Sequence, residues 1–134
     1  MIVLIRNMKL FNNIKEKDVE YIEGLLEKKT YFKGDIICNE GDKSNELYLI
    51  DSGKVDIIKK GTKVGELTSG QQFGEMALLE NKERSADVVA NGKVIIFILT
   101  KEKFFDLREK EPKIYNDSFI SRFLFFMIFL PPEI

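Results

Sequence analysis

Between residues 30 and 99 short apolar runs are cut by glycine at near-regular spacing, and this rhythm leaves few folds open. Tyr31-Phe32 is followed by Lys33-Gly34-Asp35, and Ile36-Ile37-Cys38 by Glu40-Gly41-Asp42. The run 47–50 ends at Asp51-Ser52-Gly53, the run 55–58 at Lys60-Gly61, and the run 64–67 at Ser69-Gly70. A last pair of runs, 86–90 and 94–99, is joined through Asn91-Gly92. Runs this short suit strands, and glycine beside Asp, Asn or Ser supplies the turns between them. Many short strands with such turns imply an all-β sandwich or barrel. Asn91-Gly92 carries the two-residue hairpin signature. Gly34, Gly41, Gly53, Gly61 and Gly70 read as turn residues rather than ligand contacts.

Helical patterns flank this β region. Val19, Ile22, Leu25 and Leu26 form an apolar stripe at helical spacing over residues 16–28. Lys15 stands where a capping Ser or Asp is usual, so the start of that helix is expected to fray. Thr100 is placed to cap a helix through Phe104, Phe105 and Leu107, and Pro112 fits the first turn of a second, which continues toward Leu130. Pro131-Pro132 stops it. At 134 residues the chain suits one domain, 1–134, with a β-core at about 30–99 and C-terminal helices at about 101–130.

Several function classes fall away on composition. Lys and Arg number 21 against 22 Asp and Glu, a net charge of -1, which gives no electrostatic footprint for nucleic acid. Histidine is absent and Cys38 is the single cysteine. That removes the internal disulfide and most routes to zinc, haem or a histidine base, so no metal and no cofactor are expected. Cys38 itself reads as a small buried hydrophobe in a strand. The N-terminal run Met1 to Ile5 is too short for a signal-peptide core and is interrupted by Arg6; Met1 and Met8 both remain open as the start. The apolar run Phe123 to Leu130 falls well short of the ~20 residues that span a bilayer. The expected compartment is cytoplasmic.

Chemistry concentrates in residues 73–90, FGEMALLENKERSADVVA. A glycine precedes an acid, a short apolar turn and a polar loop follow, and Arg-Ser-Ala leads into a strand. A one-turn helix N-terminus, a guanidinium and a small hydroxyl residue converge in this way on one phosphate. Glu75 is repelled by such an anion but accepts hydrogen bonds from sugar hydroxyls beside it. The ligand expected has a ribose and a singly charged phosphate. Each residue also has a plain structural reading: Arg84 pairing on the surface with Glu80, Glu83 or Asp87, and Glu75 balancing a helix N-terminus. No catalytic set accompanies them, since Ser85 beside Arg84 lacks a base.

The segment Leu67-Thr68-Ser69-Gly70-Gln71-Gln72-Phe73-Gly74-Glu75-Met76-Ala77-Leu78, then Arg84-Ser85-Ala86, closely resembles the phosphate-binding cassette of cyclic-nucleotide-binding domains. Such domains occur in bacterial catabolite activators, cyclic-nucleotide-dependent kinases and gated channels. Phe32-Lys33-Gly34-Asp35, Glu40-Gly41-Asp42 and the stretch from Tyr48 to Val55 resemble the family's early strands and turns, so the likeness covers roughly residues 10 to 125. It implies a mainly β jelly-roll, a double-stranded β-helix barrel, flanked by an N-terminal helix and C-terminal helices. It also implies a ligand site of Phe73, Gly74, Glu75, Met76, Ala77, Leu78, Arg84, Ser85 and Ala86. Gly74 would let the backbone approach the ribose, Glu75 accept from its hydroxyl, and the N–H groups of Met76, Ala77 and Leu78 face the phosphate. Arg84 would pair with the phosphate oxygens, with Ser85 and the Ala86 N–H beside it.

Arg84-Ser85-Ala86 is similar to the bacterial cAMP binders, so cAMP is expected, with cGMP the competitor. The resemblance places Phe129 and Leu130 over the base, where the family has polar groups, so an apolar cap replaces hydrogen-bond readout. Ten of the twelve residues from Phe119 to Leu130 are apolar, which marks a buried helix. Core packing, a homodimer partner, and a membrane surface or another protein are its alternatives. The function implied is a cyclic-nucleotide sensor module acting on an effector protein. A Crp/Fnr-type transcription regulator lacking its helix-turn-helix, and a degenerate interaction module that binds no nucleotide, are the other readings.

Overall fold

The computed structural model describes residues 16–43, 45–74 and 83–110. In order they form helix α1 (Glu16–Leu25), strands β1 (Glu27–Tyr31), β2 (Ile36–Cys38), β3 (Glu46–Ser52), β4 (Lys54–Lys59), β5 (Thr62–Thr68), β6 (Gln72–Phe73), β7 (Asp87–Ala90) and β8 (Val94–Thr100), and helix α2 (Lys101–Lys110). Two four-stranded sheets result, ordered β1-β8-β3-β6 and β2-β7-β4-β5. The antiparallel pairs β1 with β8, β2 with β7, β3 with β6 and β4 with β5 are those of one long hairpin folded over itself. That is the all-β sandwich expected from the glycine rhythm and the jelly-roll implied by the family resemblance, here as two sheets closed on a shared core rather than a continuous barrel.

The hairpin has its tip between β4 and β5. Lys60 and Gly61 take φ of 50° and 79° there, the pair of positive values that matches strand twist in a two-residue turn. Asn91-Gly92 is not a hairpin, contrary to its signature. It links β7 in one sheet to β8 in the other. The reason is partner availability: β7 is flanked by β2 and β4, and β8 by β1 and β3, so neither has a side left for the other.

A second difference lies at the N-terminal side. Helix α1 stops at Leu25 rather than at 28, and Glu27-Lys28-Lys29 begin β1, so the β-core starts at 27 instead of 30. These charged residues pair with Ile98, Phe97 and Ile96 of β8. The apolar β8 needs a neighbour on that side, and exposed charges on the resulting edge strand discourage pairing with other chains.

The core between the sheets is built from alternate residues of facing strands, with Ile50, Val55, Val88, Val94 and Ile96 among the most buried. Residues of the other phase, Leu47 and Leu49 on β3 and Phe97 and Leu99 on β8, are buried as well. Helix α2 contacts β8 and buries Phe104 and Leu107. Cover on both faces explains why residues 94–99 read as a continuous apolar run rather than an alternating one. Thr100 caps α2 as expected, its Oγ1 accepting from the Lys103 N–H at 3.2 Å. Among the described residues no helix is long and apolar enough to cross a membrane. The fraying start of the first helix, the helix after Pro112, the base cap at Phe129 and Leu130 and the packing of the tail lie outside the described residues.

Candidate functional site

The polar residues that open the cassette hold it to the end of β3. The Thr68 N–H donates to Gln71 Oε1 at 2.8 Å, and the Gly70 N–H to the Ile50 carbonyl at 2.9 Å. Ser69 Oγ donates to the Asp51 carbonyl at 2.7 Å. The turn delivers β6 in a register that sets Phe73 opposite Tyr48 on β3. The two rings stack with centroids 4.7 Å apart and planes 15° from parallel. Phe73 is almost wholly buried and ends the strand.

Gly74 follows at a φ of 81°, a left-handed conformation that a side chain strains. A Cβ there would also collide with both terminal nitrogens of Arg84 and stand 2.8 Å from the Glu46 carbonyl oxygen. The close approach that Gly74 permits is therefore, in this structure, that of the Arg84 guanidinium.

Arg84 is only 4% exposed. Its backbone is fixed by the loop between β2 and β3: the Arg84 N–H donates to the Asp42 carbonyl at 2.8 Å, and the Gly41 N–H to the Arg84 carbonyl at 2.8 Å. Lys43 and Glu83 form an antiparallel bridge alongside. The side chain turns inward. Its Cζ lies 5.2 Å from the centre of the Tyr48 ring, and Nη2 donates to the Glu46 carbonyl at 2.8 Å. A cation over an aromatic face gains about 2 kcal/mol when desolvated, and a hydrogen bond to a charged group about 1.5–3 kcal/mol. Contacts of this size offset part of the cost of burying a guanidinium. The burial of Arg84 sets aside a surface position for it; Asp87 Oδ1 accepts from the Glu40 N–H at 2.6 Å, and Glu80 lies outside the described residues.

Cys38 closes this polar corner of the core. Burial pushes its thiol up to about 11 against the opposing pull of the Arg84 charge and the nearby Tyr48 hydroxyl. Burial likewise raises the Tyr48 phenol above its ordinary value. Both groups are neutral at physiological pH, and the charges that act on them come from the Arg84 guanidinium and the Glu46 carboxylate, with Asp42 also acting on Cys38.

Of the residues expected at the site, the structure brings Phe73, Gly74 and Arg84 together around one point. Ser85 is half-buried next to Arg84, and Ala86 is fully buried at the entry to β7. Glu75, Met76, Ala77 and Leu78 lie outside the described residues. Sequence reasoning missed Tyr48, the Glu46 carbonyl and the loop at Gly41 and Asp42. The one available signal was a polar-tipped aromatic at Tyr48 within an otherwise aliphatic strand interior. Among the described residues no cluster of His, Cys, Asp or Glu is placed to hold a metal ion.

Comparison with known proteins bears on this geometry. The family model for the cyclic nucleotide-binding domain matches residues 28–111. The cAMP-dependent protein kinase regulatory subunit of Yarrowia lipolytica is 35% identical over 95 residues, 71% of this chain and 25% of that protein. A cGMP-dependent protein kinase of Toxoplasma gondii is 31% identical over 80 residues, 60% of this chain and 8% of its own length. The chain thus spans a quarter or less of these curated relatives. The crystal structure of Thermus thermophilus catabolite activator protein superposes with a TM-score of 0.75 at 28% identity, over 89% of this chain and 55% of that one.

Proposed function

This chain belongs to the cyclic nucleotide-binding domain family, and from that premise we propose that it is a non-catalytic sensor module that binds a cyclic nucleotide, cAMP in preference to cGMP. The observation that supports this most is the buried Arg84 guanidinium held beside Gly74. A fork of N–H donors in a low-dielectric setting suits a singly charged cyclic phosphate. Glu75, next along the chain, accepts from the ribose hydroxyl. The Ser85 hydroxyl and Ala86 N–H add donors, and the N–H groups of Met76, Ala77 and Leu78 face the phosphate. Phe129 and Leu130 cap the base with apolar surface. The preference for cAMP rests on the Arg84-Ser85-Ala86 sequence and on the higher identity to the cAMP-dependent relative. The output is the position of the C-terminal helices, read by an effector protein or a second copy of the chain.

Thermal denaturation with cAMP, cGMP and AMP tests this reading. A ligand at 100 times its Kd adds about 2.7 kcal/mol of stability. The expected order is cAMP, then cGMP, with AMP far behind because its open phosphate carries a second charge and another shape. A cGMP-first order overturns the base preference alone. No shift with either cyclic nucleotide at millimolar concentration overturns the function.

A further inference from the structure

We propose that Tyr48 is a positioning residue for the ligand: its ring, stacked on Phe73, sets the Arg84 guanidinium at Gly74 before a phosphate arrives. The inference rests on the reading of Arg84 as the partner of the phosphate.

Three observations carry it. First, the ring is itself immobilised. Register places Tyr48 between Ile98 of β8 and Phe73 of β6, and Phe73 stacks on it at 4.7 Å. Second, the guanidinium lies over the opposite partner of that stack, with its carbon 5.2 Å from the ring centre. Third, β3 also supplies the Glu46 carbonyl that accepts from Nη2, two residues before Tyr48. The ring lies under the guanidinium carbon, and the carbonyl holds Nη2. The remaining direction runs past Gly74, where a Cβ would collide with the same nitrogens. An arginine ordered in advance loses less rotamer freedom on binding than a solvated one, so the gain appears as affinity. An aliphatic side chain at position 48 would fill the volume without offering a π face.

The test compares Tyr48→Phe and Tyr48→Leu by calorimetry with cAMP, alongside the Arg84 Nε–Hε signal in nuclear magnetic resonance spectra. Tyr48→Phe keeps the ring and should bind within about twofold of wild type; Tyr48→Leu should bind about tenfold or more weakly. The Arg84 signal should show a ring-current shift in wild type and Tyr48→Phe and lose it in Tyr48→Leu. Wild-type affinity in a folded Tyr48→Leu overturns the proposal, as does an equal loss in Tyr48→Phe. Should Tyr48→Leu not fold, the wild-type resonance decides: a shifted signal supports the stack, and a random-coil position overturns it. A wild type that binds neither cAMP nor cGMP overturns the functional reading instead, and the resonance still reports on the stack.

Discussion

Lys63 on β5 and Arg84 ahead of β7 are both cations held in defined geometry, one in solvent and one buried. Lys63 reaches Asp56 at 3.2 Å and hydrogen-bonds Glu66, which in turn lies 3.7 Å from Lys54. Glu66 first, then Asp56, raises the Lys63 pKa, and Lys63 lowers that of Glu66. Water and salt screen all of this, so the cluster is worth little to the fold. Arg84 is gripped by a ring, a backbone carbonyl and the space left by a glycine. The hairpin solves a solubility problem at a sheet edge with interchangeable charges. The buried corner leaves no atom interchangeable, because the same contacts serve packing, orientation and charge.

That contrast is breakable, starting where the effect is largest. Arg84→Lys should lower cAMP affinity by at least about tenfold, since a compact ammonium cannot reach the phosphate while keeping the ring and the Glu46 carbonyl. Calorimetry with a circular-dichroism check of folding measures it. Gly74→Ala should cost about 2 kcal/mol in chemical denaturation, from the positive φ together with the collision at Arg84. Unchanged stability there would mean that the guanidinium is not confined.

Cys38 gives a subtler probe. Burial raises its pKa from the ordinary 9.0 to about 11, so at pH 8 the folded chain should carry about 100-fold less thiolate and alkylate correspondingly slowly. For the sign of the pH effect, the unfolded thiol ionises near 9 while the folded one stays protonated. Stability is therefore fully present below pH 9 and lost as pH rises toward 11, by about 1 kcal/mol at pH 10. Cys38→Ala should flatten that part of the alkaline profile. Smallest of all, Lys63→Met should leave the melting temperature nearly unchanged; a drop like that of Gly74→Ala would erase the distinction between the two regions.

The all-β sandwich was legible because its strand and turn signals are local. Gly34, Gly41, Gly53, Gly61 and Gly70 were readable as turns, and each takes a positive φ. What escaped depends on partners far along the chain. Glu27-Lys28-Lys29 form a strand only because β8 lies beside them, and Asn91-Gly92 fails to make a hairpin only because β7 and β8 are already flanked. At the site, Gly74 and Arg84 were named from the anion-binding layout of residues 73–90 and its resemblance to the family's cassette. Tyr48 was not, since nothing near it in the chain announces that Phe73 and Arg84, 25 and 36 positions on, meet at its ring.

Isothermal titration of cAMP into the wild-type chain and into Arg84→Gln asks most directly whether this buried guanidinium grips a cyclic phosphate. Saturable heat at one ligand per chain, with affinity reduced about tenfold or more in the variant, is the result predicted. A folded wild type that gives no heat at high micromolar cAMP, or an Arg84→Gln variant that binds as tightly as wild type, would contradict it.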